Sequence, residues 1–189
     1  MLAVGLASLI VLWAVLFAST WAKWGNITID NGREVYVPWA LAHGKTLYRD
    51  LWYCYTPGGP YLNSLLFRIF GPRLAVLYWA GSLSALGCAL LLYLTGAWLS
   101  CGLGGGIAAA VVLMEAFAPN LFSYPLPYSY GAVYGALATC LFLWLSVRAA
   151  RPACGGFLFG AGLAASAALA FKPEFGAGCY VALLALLAL

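Results

Sequence analysis

Residues 27–61 read ITIDNGREVYVPWALAHGKTLYRDLWYCYTPGGPY and form a polar island in a very apolar chain. The stretch carries three acids, three bases and His43, the only histidine of the protein. Long apolar segments lie on both sides of it. The pattern therefore predicts a polar loop between two membrane-spanning helices.

The composition supports this prediction. Of the 189 residues, 65% are hydrophobic and 7% are charged, and the mean hydropathy is +0.95. Soluble domains are about half apolar and a quarter charged, so the chain is predicted to be an integral membrane protein. The net charge of +4 arises from nine bases and five acids, and six of the bases lie between Lys23 and Arg73. A basic region this local argues against nucleic-acid binding.

The cysteines are scattered singly through the chain, without C-x-x-C spacing. Most lie in or beside apolar segments, where a thiol packs as a small hydrophobic group. We expect neither a disulfide framework nor a zinc site.

Runs of about 20 apolar residues are typical of membrane spans. Five spans are predicted, at residues 2–21, 73–99, 107–122, 132–147 and 155–171. The glycine-rich residues 100–106 are predicted to link the second and third spans, and SYPLPYSYG at 123–131 to turn between the third and fourth. The last apolar segment, 177–189, is too short to span. We therefore predict that residues 1–189 are a single transmembrane domain, the N-terminal part of a longer module truncated in its sixth span.

Basic residues flank the short link between the predicted fourth and fifth spans, at Arg148 and Arg151. Since cytoplasmic loops carry excess Lys and Arg, this link is predicted to be cytoplasmic. Alternation then places the loop of residues 22–72 outside the cell membrane, together with 123–131 and KPEFG at 172–176.

Two short helices are predicted inside the loop of residues 22–72. The first covers 32–43, with Asp30 or Asn31 as a cap and Gly44 as its stop. The second covers 60–70, begins with a proline and ends at Gly71. Such helices lie along a membrane surface. The predicted fold is thus an all-α polytopic membrane protein with two interfacial helices in its first external loop.

Asp30 and Arg33 are spaced to share one face of the first loop helix. This pairing is compatible with a reactive carboxylate held by a guanidinium, and equally with an ordinary helix cap beside a solvated arginine. Glu34 and Asp50 are the alternative acids, each also explained as an ordinary surface charge or an ion-pair partner.

The loop resembles the first external loop of the GT-C fold glycosyltransferases that use polyprenyl-phosphate sugars. This group includes the lipid A aminoarabinose transferases and the protein O-mannosyltransferases. The resemblance rests on the order and spacing of DNGR at 30–33, ALAHGK at 40–45, YRD at 48–50, PGGPY at 57–61, FRIFG at 67–71 and Arg73. FKPEFG at 171–176 is similar to a Lys-Pro or Lys-Gly pair that ends a later span in the family. Asn31 stands where some members have a second acid, and Thr56 where aminoarabinose-type members have lysine.

The resemblance implies a GT-C-like helix bundle that transfers a sugar from a polyprenyl-phosphate donor to a lipid, glycan or protein acceptor. Asp30 matches the family's acid and is the candidate general base. The developing phosphate charge needs cations, and Arg33, Lys45, Arg49, Arg73 and Lys172 form the pool. Glu34, Asp50 and Glu174 complete the candidate substrate-binding residues. No cofactor is indicated, although some relatives use a divalent metal.

A second class remains open from the sequence. A multi-pass transporter or a non-catalytic membrane subunit would use charges inside the spans, such as Glu115 and Lys172, as an ion or substrate path. This class predicts polar residues at the midplane of several spans, and the sequence offers little beyond Glu115.

Overall fold

The computed structural model describes residues 2–23, 30–99, 102–119, 123–150 and 155–187. The regular elements of these residues are eight α-helices: α1 Leu2–Thr20, α2 Asp30–Ala42, α3 Gly58–Phe70, α4 Leu74–Leu99, α5 Gly102–Ala116, α6 Tyr130–Ala149, α7 Gly155–Phe171 and α8 Pro173–Leu187. The predicted all-helical class is confirmed for this part of the chain. Three of the helices, α1, α4 and α6, are long and apolar enough to cross a membrane.

The long helices form one bundle in which neighbouring helices share apolar cores. One core joins α1, α4 and α5, and it includes Leu9, Ala89 and Leu113. Another joins α6, α7 and α8 around Phe142 and Ala165. The α4 and α6 helices pack against each other and connect the two halves. The shorter helices α2 and α3 pack together at one end of this bundle, which we call the site end.

The predicted glycine-rich link between the second and third spans is wrong in part. Helix α5 already begins at Gly102, so the glycines that were assigned to a link are helical. These glycines serve close packing instead: a Cβ atom on Gly96 of α4 would lie 2.5 Å from the Cα atom of Gly105. Small residues let the backbones of neighbouring membrane helices approach closely, and this contact outweighs the low helix propensity of glycine.

Gly81 provides a test of the close contact between α4 and the segment at 123–129. A Cβ atom at this position would lie 1.8 Å from the backbone oxygen of Tyr124, so Gly81→Ala must displace the backbone. We expect a loss of about 2 kcal/mol in unfolding free energy, measured by denaturant titration of the purified protein. Gly162→Ala is the matched control, because nothing lies within 4 Å of its added Cβ atom. Equal stability of the two variants would contradict the packing.

The two loop helices end as predicted. After α2, Gly44 adopts a φ of +88°, and the N–H groups of Gly44 and Lys45 donate to the carbonyls of Leu41 and Ala40. This pair of bonds is the Schellman arrangement that closes a helix. After α3, Gly71 adopts a φ of +85° and donates to the carbonyl of Phe67. Both glycines satisfy carbonyls that a helix end would otherwise leave without partners.

Candidate functional site

Polar side chains of α2 hold the segment at 126–130 against the site end of the bundle. The side-chain amide of Asn31 donates to the carbonyls of Leu126 and Pro127, at 2.6 and 3.0 Å. Arg33 Nη2 donates to the carbonyl of Tyr128 at 3.1 Å. The proline-rich turn predicted from SYPLPYSYG is thus tied to a helix almost one hundred residues earlier in the chain, and its carbonyls find partners there.

Asp30, Arg33 and Glu34 form one charged cluster on α2. Arg33 Nη1 lies 2.8 Å from Asp30 Oδ1, and Arg33 Nε lies 3.4 Å from Glu34 Oε1. The Asp30 side chain is 39% exposed and the Glu34 side chain only 2%. Asp30 is therefore the acid that an incoming molecule can reach, whereas Glu34 lies beneath the arginine.

The ion pair with Arg33 confirms one structural interpretation of Glu34. The other, an exposed surface charge, is wrong, because the side chain of Glu34 is only 2% exposed. Its Oε2 atom accepts the backbone N–H of Tyr130 at 2.8 Å, so this carboxyl group caps the start of α6 from a different helix. Burial raises the pKa of Glu34 above its ordinary value, although the hydrogen bond from Tyr130 and the attraction of Arg33 both act to lower it. The signal in the sequence was too weak to find this role, since the cap and the helix are far apart in the chain.

A cavity of about 310 Å³ opens beside this cluster, between the starts of three helices. Its wall contains Thr56 and Pro57 before α3, Ser129 and Gly131 around the start of α6, and the residues that begin α8. Helix N-termini carry partial positive charge and unpaired N–H groups, which favour an anion. Because Glu34 already caps α6, the starts of α3 and α8 remain to favour an anion, together with the side chain of Lys172. The C-terminal end of α7 at Phe171 borders the same cavity and partly opposes this effect.

Glycines allow these helix starts to meet. A Cβ atom on Gly58 would lie 2.6 Å from the carbonyl oxygen of Ala170, and one on Gly131 would lie 2.7 Å from that of Phe171. A Cβ atom on Gly59 would lie 3.0 Å from the backbone nitrogen of Gly131. The PGG sequence at 57–59 thus brings α3 against the start of α6 and the end of α7.

Two cations flank one aromatic ring at the wall of the cavity. The guanidinium carbon of Arg33 lies 4.8 Å from the ring centre of Tyr55, and Lys172 Nζ lies 5.5 Å from it. The Lys172 side chain is 19% exposed and lies 3.8 Å from Glu174, which is 70% exposed. Tyr55 was not among the sequence candidates, and it links the α2 cluster to Lys172. The hydroxyl of Thr56 donates a hydrogen bond to the carbonyl of Phe171, at 2.6 Å.

An apolar slot of about 180 Å³ lies next to the cavity and shares Ser129 with it. The slot runs between α6 and α8, along Ala132, Ala136 and Phe175. A polar cavity that adjoins an apolar slot suits a molecule with a charged head and a hydrocarbon tail.

Of the remaining candidate residues from the sequence, only Glu174 lines the cavity of about 310 Å³. Lys45 is exposed just after α2. Arg49 is 73% exposed and binds Asp50 through two bonds of 2.9 Å. The hydrogen bonds from Arg49 and from the backbone of Thr46 lower the pKa of Asp50 to about 2.

Arg73 lies in a separate groove of about 430 Å³, whose other lining residues are apolar. Arg73 and Lys172 both stand at the ends of predicted spans, and of these two cations only Lys172 lines the cavity.

The tyrosines of residues 123–131 lie in two different environments. Tyr130 is completely buried, and its hydroxyl donates to the carbonyls of Leu77 and Pro125. Tyr124 and Tyr128 line the apolar slot instead. Within the described ranges, no three His, Cys, Asp or Glu side chains converge in a way that would hold a metal ion.

Comparisons of the chain with known families, curated proteins and solved structures assign it to no family. The chain matches no family model, no curated protein and no solved structure.

Proposed function

We propose that the protein is a membrane glycosyltransferase that moves a sugar from a polyprenyl-phosphate donor to an acceptor hydroxyl. The sequence resemblance first suggested this reaction. The observation that carries it is the cavity of about 310 Å³ at which Lys172 and the N-termini of α3 and α8 meet. Its volume lies at the low end of the range of about 300–1,000 Å³ that is usual for small-molecule sites.

The donor would place its phosphate in this cavity, where helix ends and the ammonium group of Lys172 oppose its charge. Its hydrocarbon tail would follow the apolar slot between α6 and α8. In this arrangement the sugar lies on the side of Tyr55, within reach of the α2 cluster. The external face of the cytoplasmic membrane is the location that the predicted topology gives to the reaction.

The proposed chemistry has one proton transfer and one displacement. The carboxylate of Asp30 takes the proton of the acceptor hydroxyl, and the acceptor oxygen attacks the anomeric carbon. The bond between this carbon and the phosphate oxygen breaks, and the polyprenyl phosphate leaves with the bonding electron pair. Arg33 and Lys172 oppose the charge that grows on the leaving group, and Arg33 also orients Asp30 through their ion pair of 2.8 Å.

Lys172→Gln tests where the phosphate binds. We expect the affinity for polyprenyl phosphate alone to fall about tenfold, because one charge-assisted contact is lost. Binding is measured with the purified protein in lipid nanodiscs. Arg73→Gln is the control, since it removes a cation from the separate groove. Unchanged binding by Lys172→Gln, or an equal loss in Arg73→Gln, would contradict the assignment of the phosphate to this cavity.

The enzyme class is tested by transfer itself. Membranes that carry the protein are incubated with polyprenyl-phosphate mannose or polyprenyl-phosphate aminoarabinose, and release of polyprenyl phosphate is followed. Failure of the wild type to release it from either donor, with every acceptor class present, would argue against a transferase.

A transporter has less support from the arrangement of charges. Glu115 is exposed in the last turn of α5, which packs against α1 and α4. Lys172 precedes α8, which packs against α6 and α7. The two charges thus lie on helices with different neighbours, an arrangement that gives a shared ion path little support.

A further inference from the structure

A further concavity lies along α2 and shares none of its lining residues with the cavity of about 310 Å³ proposed for the phosphate, which we call the phosphate cavity. It is wide and open, with a volume of about 680 Å³. Its wall combines two aromatic side chains, Tyr36 and Trp52, with two charged ones, Arg33 and Asp50. Trp52 is 83% exposed and Tyr36 is 55% exposed. These two exposed aromatic side chains lie in one concavity together with two charged ones, so the wall offers both apolar and polar contacts.

The mixture of groups narrows what can bind. A hydrocarbon surface would fill the concavity poorly, because Arg33 and Asp50 would then lose water without gaining partners. A saccharide, in contrast, offers partners to both the aromatic and the charged side chains. The C–H face of a sugar ring is apolar and weakly positive, and it matches the electron-rich face of an aromatic ring. The hydroxyls of the same sugar need hydrogen-bond donors and acceptors, which a guanidinium and a carboxylate provide.

The charges are held in place before any ligand arrives. Asp50 is fixed by Arg49 and by the backbone N–H of Thr46, at 2.8–2.9 Å. Its low pKa keeps it ionised, and so an acceptor of hydrogen bonds, at physiological pH. Arg33 is fixed by Asp30 and by the carbonyl of Tyr128. Fixed polar groups of this kind reduce the ordering cost of binding.

We propose that this concavity binds a saccharide, with a sugar ring against Trp52 and its hydroxyls on Asp50 and Arg33. The inference rests on the proposed function and gives its acceptor a chemical class: the acceptor is a glycan, rather than a protein or a simple lipid. Arg33 is the shared element. It lines the saccharide concavity, it faces Tyr55 of the phosphate cavity, and it pairs with Asp30. A hydroxyl presented from the concavity thus arrives next to the proposed base.

The test measures saccharide binding without requiring transfer. The protein is placed in phosphatidylcholine nanodiscs, because maltoside detergents would compete for the site. Methyl α-mannoside, methyl β-glucoside and maltotriose are the probes, and saturation-transfer NMR reports their contact with the protein. We expect at least one probe to bind, and Trp52→Ala to weaken its binding about tenfold. Trp52→Phe keeps an aromatic face and is expected to retain most of the binding.

Trp21→Ala is the control, since Trp21 is a partly exposed tryptophan that neither lines the concavity nor packs on an aromatic ring of its wall. The inference is overturned if no probe contacts the wild type, or if Trp52→Ala binds as the wild type does. Its failure is distinct from failure of the proposed function. If Trp52→Ala transfers sugar to a non-saccharide acceptor at an unchanged rate, the saccharide site is refuted and the proposed transferase is not. If saccharide binding depends on Trp52 but the protein releases no polyprenyl phosphate, the transferase is refuted and the saccharide site is not.

Discussion

Replacing Asp30 with Asn is expected to lower the rate of sugar transfer by about 10²- to 10⁴-fold, the usual contribution of a positioned general base. An amide cannot take the proton of the acceptor hydroxyl. Its oxygen can still accept the bond from Arg33 Nη1, which spans 2.8 Å in the wild type, so the α2 cluster should keep its geometry. The measurement is the initial rate of polyprenyl phosphate release from membranes that carry each variant.

The loss should appear in kcat and leave the affinity for polyprenyl phosphate unchanged, because Asp30 does not line the phosphate cavity. Glu115→Gln serves as the control, since it removes an exposed acid of α5 that does not line the cavity. Full transfer activity in Asp30→Asn would eliminate this residue as the base.

Glu34→Ala is expected to lower the unfolding free energy by about 3 kcal/mol. The substitution removes the acceptor of the Tyr130 N–H and one of the two carboxylates that face Arg33. The N–H group of the buried Tyr130 is left without this acceptor in a site that excludes water, since the Glu34 side chain itself is only 2% exposed. Glu174→Ala, at a side chain 70% exposed, should change stability by less than about 1 kcal/mol. Similar effects of the two substitutions, measured by denaturant titration, would refute the structural role of Glu34.

Glu34→Gln separates the hydrogen bond from the charge. Because burial raises the pKa of Glu34, the folded protein holds this proton more tightly than the unfolded chain. The contribution is fully present below the ordinary Glu value of 4.5 and is lost as pH rises through the raised value. The stability of the wild type relative to Glu34→Gln should therefore decrease as pH rises above 4.5. An increase over this range would contradict the direction of the shift.

The helical architecture was largely predictable because its signals are local. Apolar runs predicted α1, α4, α6 and α7 closely, and Gly44 and Gly71 predicted the ends of α2 and α3. Single residues determine these features through backbone conformation and transfer energy, so the neighbouring sequence contains the necessary information.

The parts that sequence reasoning missed depend on distant partners. The glycines at the start of α5 suggested a link, and only their contact with Gly96 of α4 explains a helix there. Glu34 resembled a surface charge because the start of α6, which it caps, lies 96 residues away. Arg73 and Lys172 were equivalent at the ends of predicted spans. Lys172 lines the cavity and Arg73 does not, because the start of α3 packs near Lys172. This packing cannot be read from the spacing of residues in the sequence.

The contacts of the site end also constrain the order in which the protein assembles. Asn31 binds Leu126 across 95 positions of the chain, and Thr56 binds Phe171 across 115. Contacts this distant form late in folding, because long loops must close first. During synthesis, α2 and α3 leave the ribosome well before α6 and α8. Their polar groups must therefore remain hydrated until those helices pack against them, and the cavity of about 310 Å³ forms only then.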